Sequence, residues 1–369
     1  MLEDRVFRER EERVREFLRR SGATFAVVTP SPNFQYLTGL HYVLRERLVA
    51  LILSPTNEPI LIVPSFELSE VKSRTWVRSV YGWDEDQNPY SLLARLVGTS
   101  GDDHVAFFED SMPVSIFWSI RDSVSRIRES RSLGQALSSM RLRKCEAEVE
   151  LMRKAGHVID AAVMKAFRSA RLGMTEAELS QVVQNEVIRL GAEPTFSTVQ
   201  FGERSAHPHA DSSNRALKDG DLVLLDCGCS VGGYNTDMTR VGVVGPPTAD
   251  QEKVHSIVLR AEESAIEKIS SGLSCEEADG LARRVIENEG YGECFTHRLG
   301  HGVGLEVHEP PYLVRNSSQV LEPGMTHSVE PGIYIEGRFG IRIEDLVCVR
   351  DEDCEVLTYS PKDLFVIEP

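Results

Sequence analysis

The stretch from His297 to Glu309, HRLGHGVGLEVHE, constrains the fold of this chain more than any other. His297, His301 and His308 fall within it, and Gly300, Gly302 and Gly304 crowd the middle histidine. Glycines beside a histidine let backbone and ligand approach closely. Acidic residues lie at the ends of other apolar runs: Asp226 in LVLLDCG, Asp237 in YNTDMTR, Glu330 in HSVEPGIY and Glu344 in GIRIEDL. One histidine and four carboxylates have the composition of a metal's ligand set. Each lone member has a plainer reading, as a turn aspartate, a solvated strand glutamate or a packed histidine. The string as a whole favours a site, and a fold that uses it must bring separate segments to one point.

At 369 residues, two domains are the default. Residues 4–20 read as an amphipathic helix, with Val6, Phe7, Val14, Phe17 and Leu18 roughly to one side. FAVVT (25–29), Leu48 to Leu53, Ile60 to Val63 and His104 to Phe108 read as strands. SPTNEP, between the second and third, has hairpin-loop chemistry. Phe66 to Ser73, Tyr90 to Val97 and Val114 to Val124 read as helices. Strands alternating with helices make residues 1–133 a smaller α/β domain. Gly134 and the serines around it are the expected linker, and 134–369 is the second domain.

A long helix starts near Cys145, with Val149, Met152, Ile159, Val163 and Phe167 at helical spacing. Capping boxes at Thr175/Glu178, Thr248/Gln251 and Ser274/Glu277 start three more. Strand candidates are Leu222 to Leu225, Thr239 to Val244, Thr326 to Val329, Ile333 to Ile335, Ile341 to Ile343 and Val347 to Val349. The two halves share a layout of helices followed by strands. The expectation is a curved antiparallel sheet backed by helices, with an internal pseudo-repeat.

The net charge of −16 argues against a sequence-independent nucleic-acid surface and against an anionic membrane surface. The seven cysteines show no metal-ribbon spacing and read as small residues in a reducing cytoplasm. The charged start is not a secretion signal, and no apolar run reaches the ~20 residues that span a bilayer.

Carboxylates with one imidazole suit Mn²⁺, Co²⁺, Fe²⁺ or Zn²⁺ better than an all-oxygen calcium cage. Four carboxylates exceed the charge of one divalent ion, and two ions sharing carboxylates balance it. Strand parity puts Arg342 and Glu344 on one face and Ile341 and Ile343 on the other. An arginine there is a natural partner for a metal-binding carboxylate.

At these residues the chain resembles the pita-bread metallopeptidases: methionine aminopeptidase, aminopeptidase P and Xaa-Pro dipeptidase (prolidase). HRLGHGVGLEVHE matches the proline-peptidase signature along its length, and all five ligand positions match, as Asp226, Asp237, His301, Glu330 and Glu344. The resemblance covers residue 145 to the end and extends more loosely through the N-terminal domain, where SPNFQYLTGL is the familiar loop. It implies a C-terminal pita-bread (creatinase/aminopeptidase) fold with a pseudo-two-fold repeat, a creatinase-like N-terminal domain, and two divalent ions, Mn²⁺ first with Co²⁺ or Zn²⁺ as alternatives. Asp226 would bind one ion, Asp237 and Glu344 would bridge, and His301 and Glu330 would bind the second. Glu330 would also orient the bridging hydroxide and shuttle its proton. His308 would stabilise the tetrahedral intermediate. His297 would line the proline pocket, and His209 in HPHADSS would contact substrate near the scissile bond. Tyr334 and Arg342 match positions that hold the ligands. His207 carries no assigned role. The creatinase branch lacks the ligands, so an inactive binding module is the lower alternative.

The fold does not separate dipeptidase from aminopeptidase P. A dipeptidase must accept a free carboxylate on proline, and an arginine clamp would do so. Arg45 and Arg47, after the YLTG stretch, are the candidates; paired surface charge is their other reading. The short N-terminal domain and the EVHEPPY continuation look more like bacterial and archaeal dipeptidases. The expected activity is hydrolysis of the Xaa-Pro bond in dipeptides, with aminopeptidase P as the alternative. A cytoplasmic homodimer is the family expectation.

Overall fold

The computed structural model describes residues 2–98, 103–208 and 210–368. The chain divides into two compact units, Met1–Arg141 and Leu142–Pro369.

In the first unit, α1 (Asp4–Arg20) buries Phe7, Val14 and Leu18. It is followed by β1 (Phe25–Val28), α2 (Pro32–Thr38), β2 (Ala50–Leu53), β3 (Ile60–Pro64), α3 (Leu68–Arg74), β4 (Ser79–Trp83), α4 (Pro89–Val97), β5 (His104–Phe108), α5 (Val114–Ser123), β6 (Ile127–Ser132) and α6 (Gly134–Arg141). The sheet order is β4-β3-β2-β1-β5-β6. β2 pairs antiparallel with β1 and β3, as the hairpin chemistry of SPTNEP requires, and the remaining pairs are parallel. Two expectations need correction. SPNFQYLTGL is mostly helix: Ser31 caps α2 by accepting from the Phe34 N–H, Pro32 sets its first turn, and Gly39 ends it in the left-handed region at φ 75°. Gly134 opens α6 rather than a linker. The unread strands β4 and β6 are the sheet's two edges. β6, IRESRS, has the polar sequence edges use against aggregation, which hides it from an apolar-run reading.

The second unit runs α7 (Glu146–Ser169), α8 (Glu176–Arg189), β7 (Glu193–Phe201), β8 (Leu222–Val231), β9 (Tyr234–Asn235), β10 (Met238–Val244), α9 (Ala249–Ile266) and α10 (Cys275–Asn288). Eight further strands follow: β11 (Gly300–Gly302), β12 (Glu309–Leu313), β13 (Thr326–Val329), β14 (Gly332–Ile335), β15 (Phe339–Arg342), β16 (Asp345–Val349), β17 (Cys354–Val356) and β18 (Phe365–Ile367). All three capping boxes read from sequence form.

One sheet orders β18-β10-β8-β7, with β9 on β8; the other orders β12-β11-β13-β16-β17; β14 and β15 form a hairpin. Apart from the parallel β10/β18 pair, the ladders are antiparallel. α7 and α8 pack on the first sheet through Ile159, Val163 and Val183 against Val199 and Leu225. α9 and α10 pack on the second through Val254, Ala278 and Ala282 against Val329 and Val347. Two helices per sheet, repeated, is the expected pita-bread layout. The sheets meet at an isolated bridge between Thr239 and Glu344, and that junction positions the site.

Candidate metal centre and active site

Five segments deliver the candidate ligands. Asp226 lies on β8 after the buried run Leu222–Leu225, opposite Thr239 on β10. Asp237 lies in the link between β9 and β10, His301 on β11, Glu330 just past β13, and Glu344 between β15 and β16. They form overlapping groups whose ligand atoms lie within 4.8 Å of one another: Asp226, Asp237 and Glu344; His301, Glu330 and Glu344; Asp237, His301 and His308. They line a cavity of ≈ 710 Å³, together with His297, Arg298, Arg342, Phe196 and Val307.

Gly300 and Gly302 are what let His301 stand there. A Cβ on Gly300 would meet the Ser328 carbonyl oxygen at 2.0 Å, and one on Gly302 the Pro310 carbonyl oxygen at 2.2 Å. Larger residues would therefore force β11 away from its neighbours.

The electrostatics fit a cation. Asp237 is pushed well above the usual carboxylate range by burial and by the nearby Asp226 and Glu330. Glu344 is raised by burial and by Asp237 and Glu330. Glu330 is raised to about 7, chiefly by burial, against the opposing charge of Arg342. Two like charges ~4 Å apart repel by about 4 kcal/mol at an effective dielectric of 20. His301 has the tautomer of a ligand. Its Nδ1 lies 3.1 Å from the Gly302 carbonyl, which only accepts, so Nδ1 carries the proton. Nε2 then presents a lone pair 3.3 Å from Glu330 and 3.6 Å from Asp237. Burial lowers the His301 pKa to about 3, so the ring does not supply the missing positive charge itself. Four carboxylates and an imidazole lone pair converging here are a donor set that divalent cations fit.

Around this set runs a hydrogen-bonded frame. Arg342 donates from Nη2 to Asp226 at 2.6 Å, from Nε to Thr239 Oγ1 at 2.9 Å and from Nη1 to the Tyr334 oxygen at 2.9 Å. His297 Nδ1 donates to the Arg298 carbonyl, leaving Nε2 to accept from the Tyr334 hydroxyl at 2.9 Å. Tyr334 is buried and its pKa is pushed up to about 12, so it stays protonated to make that bond. Ser328 donates to Glu330 Oε1 at 3.2 Å. The predicted parity holds: Arg342 and Glu344 face the cavity while Ile341 and Ile343 enter the core.

The structure thus gathers Asp226, Asp237, His301, Glu330 and Glu344, with His297, His308, Tyr334 and Arg342 about them. His308 is exposed, with its ring centroid 4.0 Å from that of His301. His209 lies outside the described residues. Its neighbour Pro208 lines the cavity, and Gln200 donates to the carbonyls of His207 and Ala210. His207 is exposed. Arg45 and Arg47 belong to the first unit and line a separate cavity of ≈ 380 Å³ with Tyr42 and Phe66. Arg47 is engaged by Glu46 and Glu85.

Sequence reasoning missed Thr239, whose hydroxyl donates to Glu344 Oε2 at 2.7 Å while accepting from Arg342. The signal was available: Thr239 follows Asp237 by two residues, as does Arg342 before Glu344. It also missed the Asp279–Arg283 pair on α10. Arg283 donates to the Phe295 and His297 carbonyls, and Asp279 accepts from the Leu299 N–H. An (i, i+4) acid–base pair is too common on helices to announce such a role.

Comparisons with known proteins agree with this geometry. Residues 150–351 match metallopeptidase family M24, and residues 10–143 match the creatinase/prolidase N-terminal domain. An Xaa-Pro dipeptidase from Lactobacillus delbrueckii subsp. lactis is 33% identical over 361 residues, 96% of this chain and 98% of the relative. A crystal structure of recombinant prolidase from Thermococcus sibiricus superposes with a TM-score of 0.91 at 33% identity, covering 98% of this chain and 99% of that one. An X-Pro aminopeptidase structure from Thermotoga maritima MSB8 gives 0.86 at 31% identity, covering 94% and 98%.

Proposed function

Because the chain belongs to metallopeptidase family M24, we propose that it hydrolyses the Xaa-Pro bond of dipeptides. The observation that carries this reading is the converging set Asp226, Asp237, His301, Glu330 and Glu344 in a chain similar along nearly its full length to an Xaa-Pro dipeptidase.

Asp226, Asp237, His301, Glu330 and Glu344 would hold the divalent ions, with Asp226 on one side of the set and His301 and Glu330 on the other. Mn²⁺ is the proposed metal, with Co²⁺ and Zn²⁺ served by the same donors. When bound, the ions supply Lewis acidity, which makes a water nucleophilic at neutral pH and polarises the scissile carbonyl. Glu330 accepts the proton of the attacking water and returns it to the prolyl nitrogen as the C–N bond breaks. His308 donates to the carbonyl oxygen as it gains charge, and His209, by the family resemblance, contacts substrate near the scissile bond. His297, locked by Tyr334 and the Arg298 carbonyl, presents a fixed ring face beside the proline. Arg342 keeps Asp226 oriented and neutralises part of the buried charge. The seven free cysteines, four of them buried, support a reducing cytoplasmic setting, and the family resemblance supports a homodimer.

The test is metal analysis of the purified protein with hydrolysis of Ala-Pro, using Asp237→Ala as control. Bound divalent metal and Ala-Pro cleavage, both lost in the variant, are expected; no metal and no cleavage of any Xaa-Pro peptide refutes the reading. Comparable rates for Ala-Pro and Ala-Pro-Ala would move the assignment to aminopeptidase P.

A further inference from the structure

A dipeptide brings a free carboxylate into the site, one residue from the bond that breaks. The ligand carboxylates would already match the charge of two ions, so a further carboxylate calls for a cation of its own. Only two arginines and no lysine line the cavity among the described residues. Arg342 is buried and fully committed to Asp226, Thr239 and Tyr334. His297 and His301 each spend their Nδ1 proton on a backbone carbonyl. The remaining arginine among the described lining residues is Arg298.

Arg298 is half-buried, and its guanidinium makes no hydrogen bond or ion pair among the described residues. It is nevertheless braced. The guanidinium carbon lies 4.5 Å from the Tyr312 ring centroid, in cation–π contact. Tyr312 sits on β12 directly opposite His301 in register, so the brace is built on the strand beside a candidate ligand. The Arg298 carbonyl meanwhile accepts from His297 Nδ1, fixing the backbone from which the side chain leaves. Stacking orients a guanidinium while leaving its in-plane donors open, the arrangement that receives a carboxylate through paired N–H bonds.

We infer that Arg298 is the subsite for the substrate's free carboxylate and so sets the length of peptide the enzyme accepts. This rests on the peptidase reading above. It moves the clamp from Arg45 and Arg47, in the first unit, to an arginine of the catalytic unit. In Xaa-Pro-Yaa the carboxylate lies one residue further on, about 3.3–3.6 Å in extended chain, and the pairing is lost.

The experiment compares kcat/KM for Ala-Pro and for Ala-Pro-amide, which lacks the carboxylate, in the metal-loaded wild type and in Arg298→Gln, Arg45→Gln and Arg47→Gln. Wild type is expected to prefer Ala-Pro. Arg298→Gln should lower that preference roughly ten- to a hundredfold, the range of one charge-assisted hydrogen bond, through KM for Ala-Pro with kcat retained. Arg298→Lys, which keeps the charge without the fork, should recover part of it with unchanged metal content. The proposal is overturned if Arg298→Gln leaves the ratio intact, if it depresses both substrates equally, or if Arg45→Gln or Arg47→Gln collapses the ratio instead. A wild type that binds metal and cleaves neither substrate overturns the peptidase reading itself.

Discussion

Thr239→Val is the sharpest probe of the junction between the two sheets. The substitution keeps the shape of the side chain and the β-branching that suits β10. It removes one hydroxyl, fully buried, which donates to Glu344 Oε2 at 2.7 Å and accepts from Arg342 Nε at 2.9 Å. Both partners are ionisable and buried. Each loses a bond of the charge-assisted kind, worth about 1.5–3 kcal/mol, and water has no room to replace it. Allowing for non-additivity, the loss is about 2–4 kcal/mol. In a domain of this size that is roughly 5–10 °C in Tm. The loosened Glu344 should also weaken metal binding by roughly ten- to a hundredfold, as removal of partners to metal ligands usually does. Calorimetric titration of the metal-free protein with Mn²⁺ reads affinity, scanning calorimetry reads Tm, and Ala-Pro hydrolysis at saturating metal reads kcat/KM. Thr239→Ser restores the hydroxyl and should restore most of both. A valine variant within twofold of wild type in metal affinity and kcat/KM, with an unchanged Tm, would falsify the claim that this hydroxyl organises the site.

Three further outcomes are expected. Lys144 and Glu309 form a buried pair at 2.8 Å with side chains 2% and 4% exposed, so Lys144→Met should cost about 3–5 kcal/mol by removing the cation that faces the buried carboxylate; urea unfolding measures it, and a loss under 1 kcal/mol contradicts the assignment. Glu262, beside Asp345 and Lys362, has its pKa raised to about 8 by burial and by the Asp345 charge, so the folded protein holds that proton more tightly than the unfolded chain. Its contribution to stability is full below about pH 4.5 and is lost as pH rises through 8. Glu262→Gln should therefore gain on wild type across that window, by at most about 1.4 kcal/mol per pH unit, and parallel unfolding curves at pH 5 and 8.5 would contradict this. Gly302→Ala should fail to fold or lose metal, because its Cβ meets backbone on β12; circular dichroism and metal content decide.

The site was legible because Asp226, Glu330 and Glu344 each follow an apolar run in the sequence, and a carboxylate there has no packing reason to be so placed. Asp226 after LVLL and Glu344 after GIRI are visible one at a time. What joins them was not visible. Thr239 and Glu344 are far apart in sequence, and their bridge exists only because two sheets, each backed by its own helix pair, meet at this point. Nothing local in MTR or RIED encodes that meeting. The edge strand β7 was also passed over. Its residues Thr195, Phe196 and Thr198 line the cavity, so it lacks the uniform apolar face that marks a buried strand. β11 offers only three residues, two of them glycine, and is held by its neighbours rather than by propensity.

The histidines show how much a local device decides. His297, His301 and His327 each place Nδ1 within hydrogen-bonding reach of the carbonyl of the very next residue, Arg298, Gly302 and Ser328. A carbonyl only accepts, so in all three the proton sits on Nδ1 and the lone pair on Nε2. The device is sequence-local, yet its consequence depends on what the fold places at Nε2. At His297 it is the Tyr334 hydroxyl, which donates. At His301 it is two carboxylates, which cannot donate unless protonated. At His327 no hydrogen-bond partner lies within reach among the described residues, and burial lowers the pKa to about 4. One tautomer thus gives a ring hydrogen-bonded to a buried tyrosine in the first case, a core histidine in the last, and in the middle a lone pair that faces carboxylates and suits a shared cation. What distinguishes His301 from the other two is therefore the pair of carboxylates at Nε2, which the fold and not the local sequence supplies.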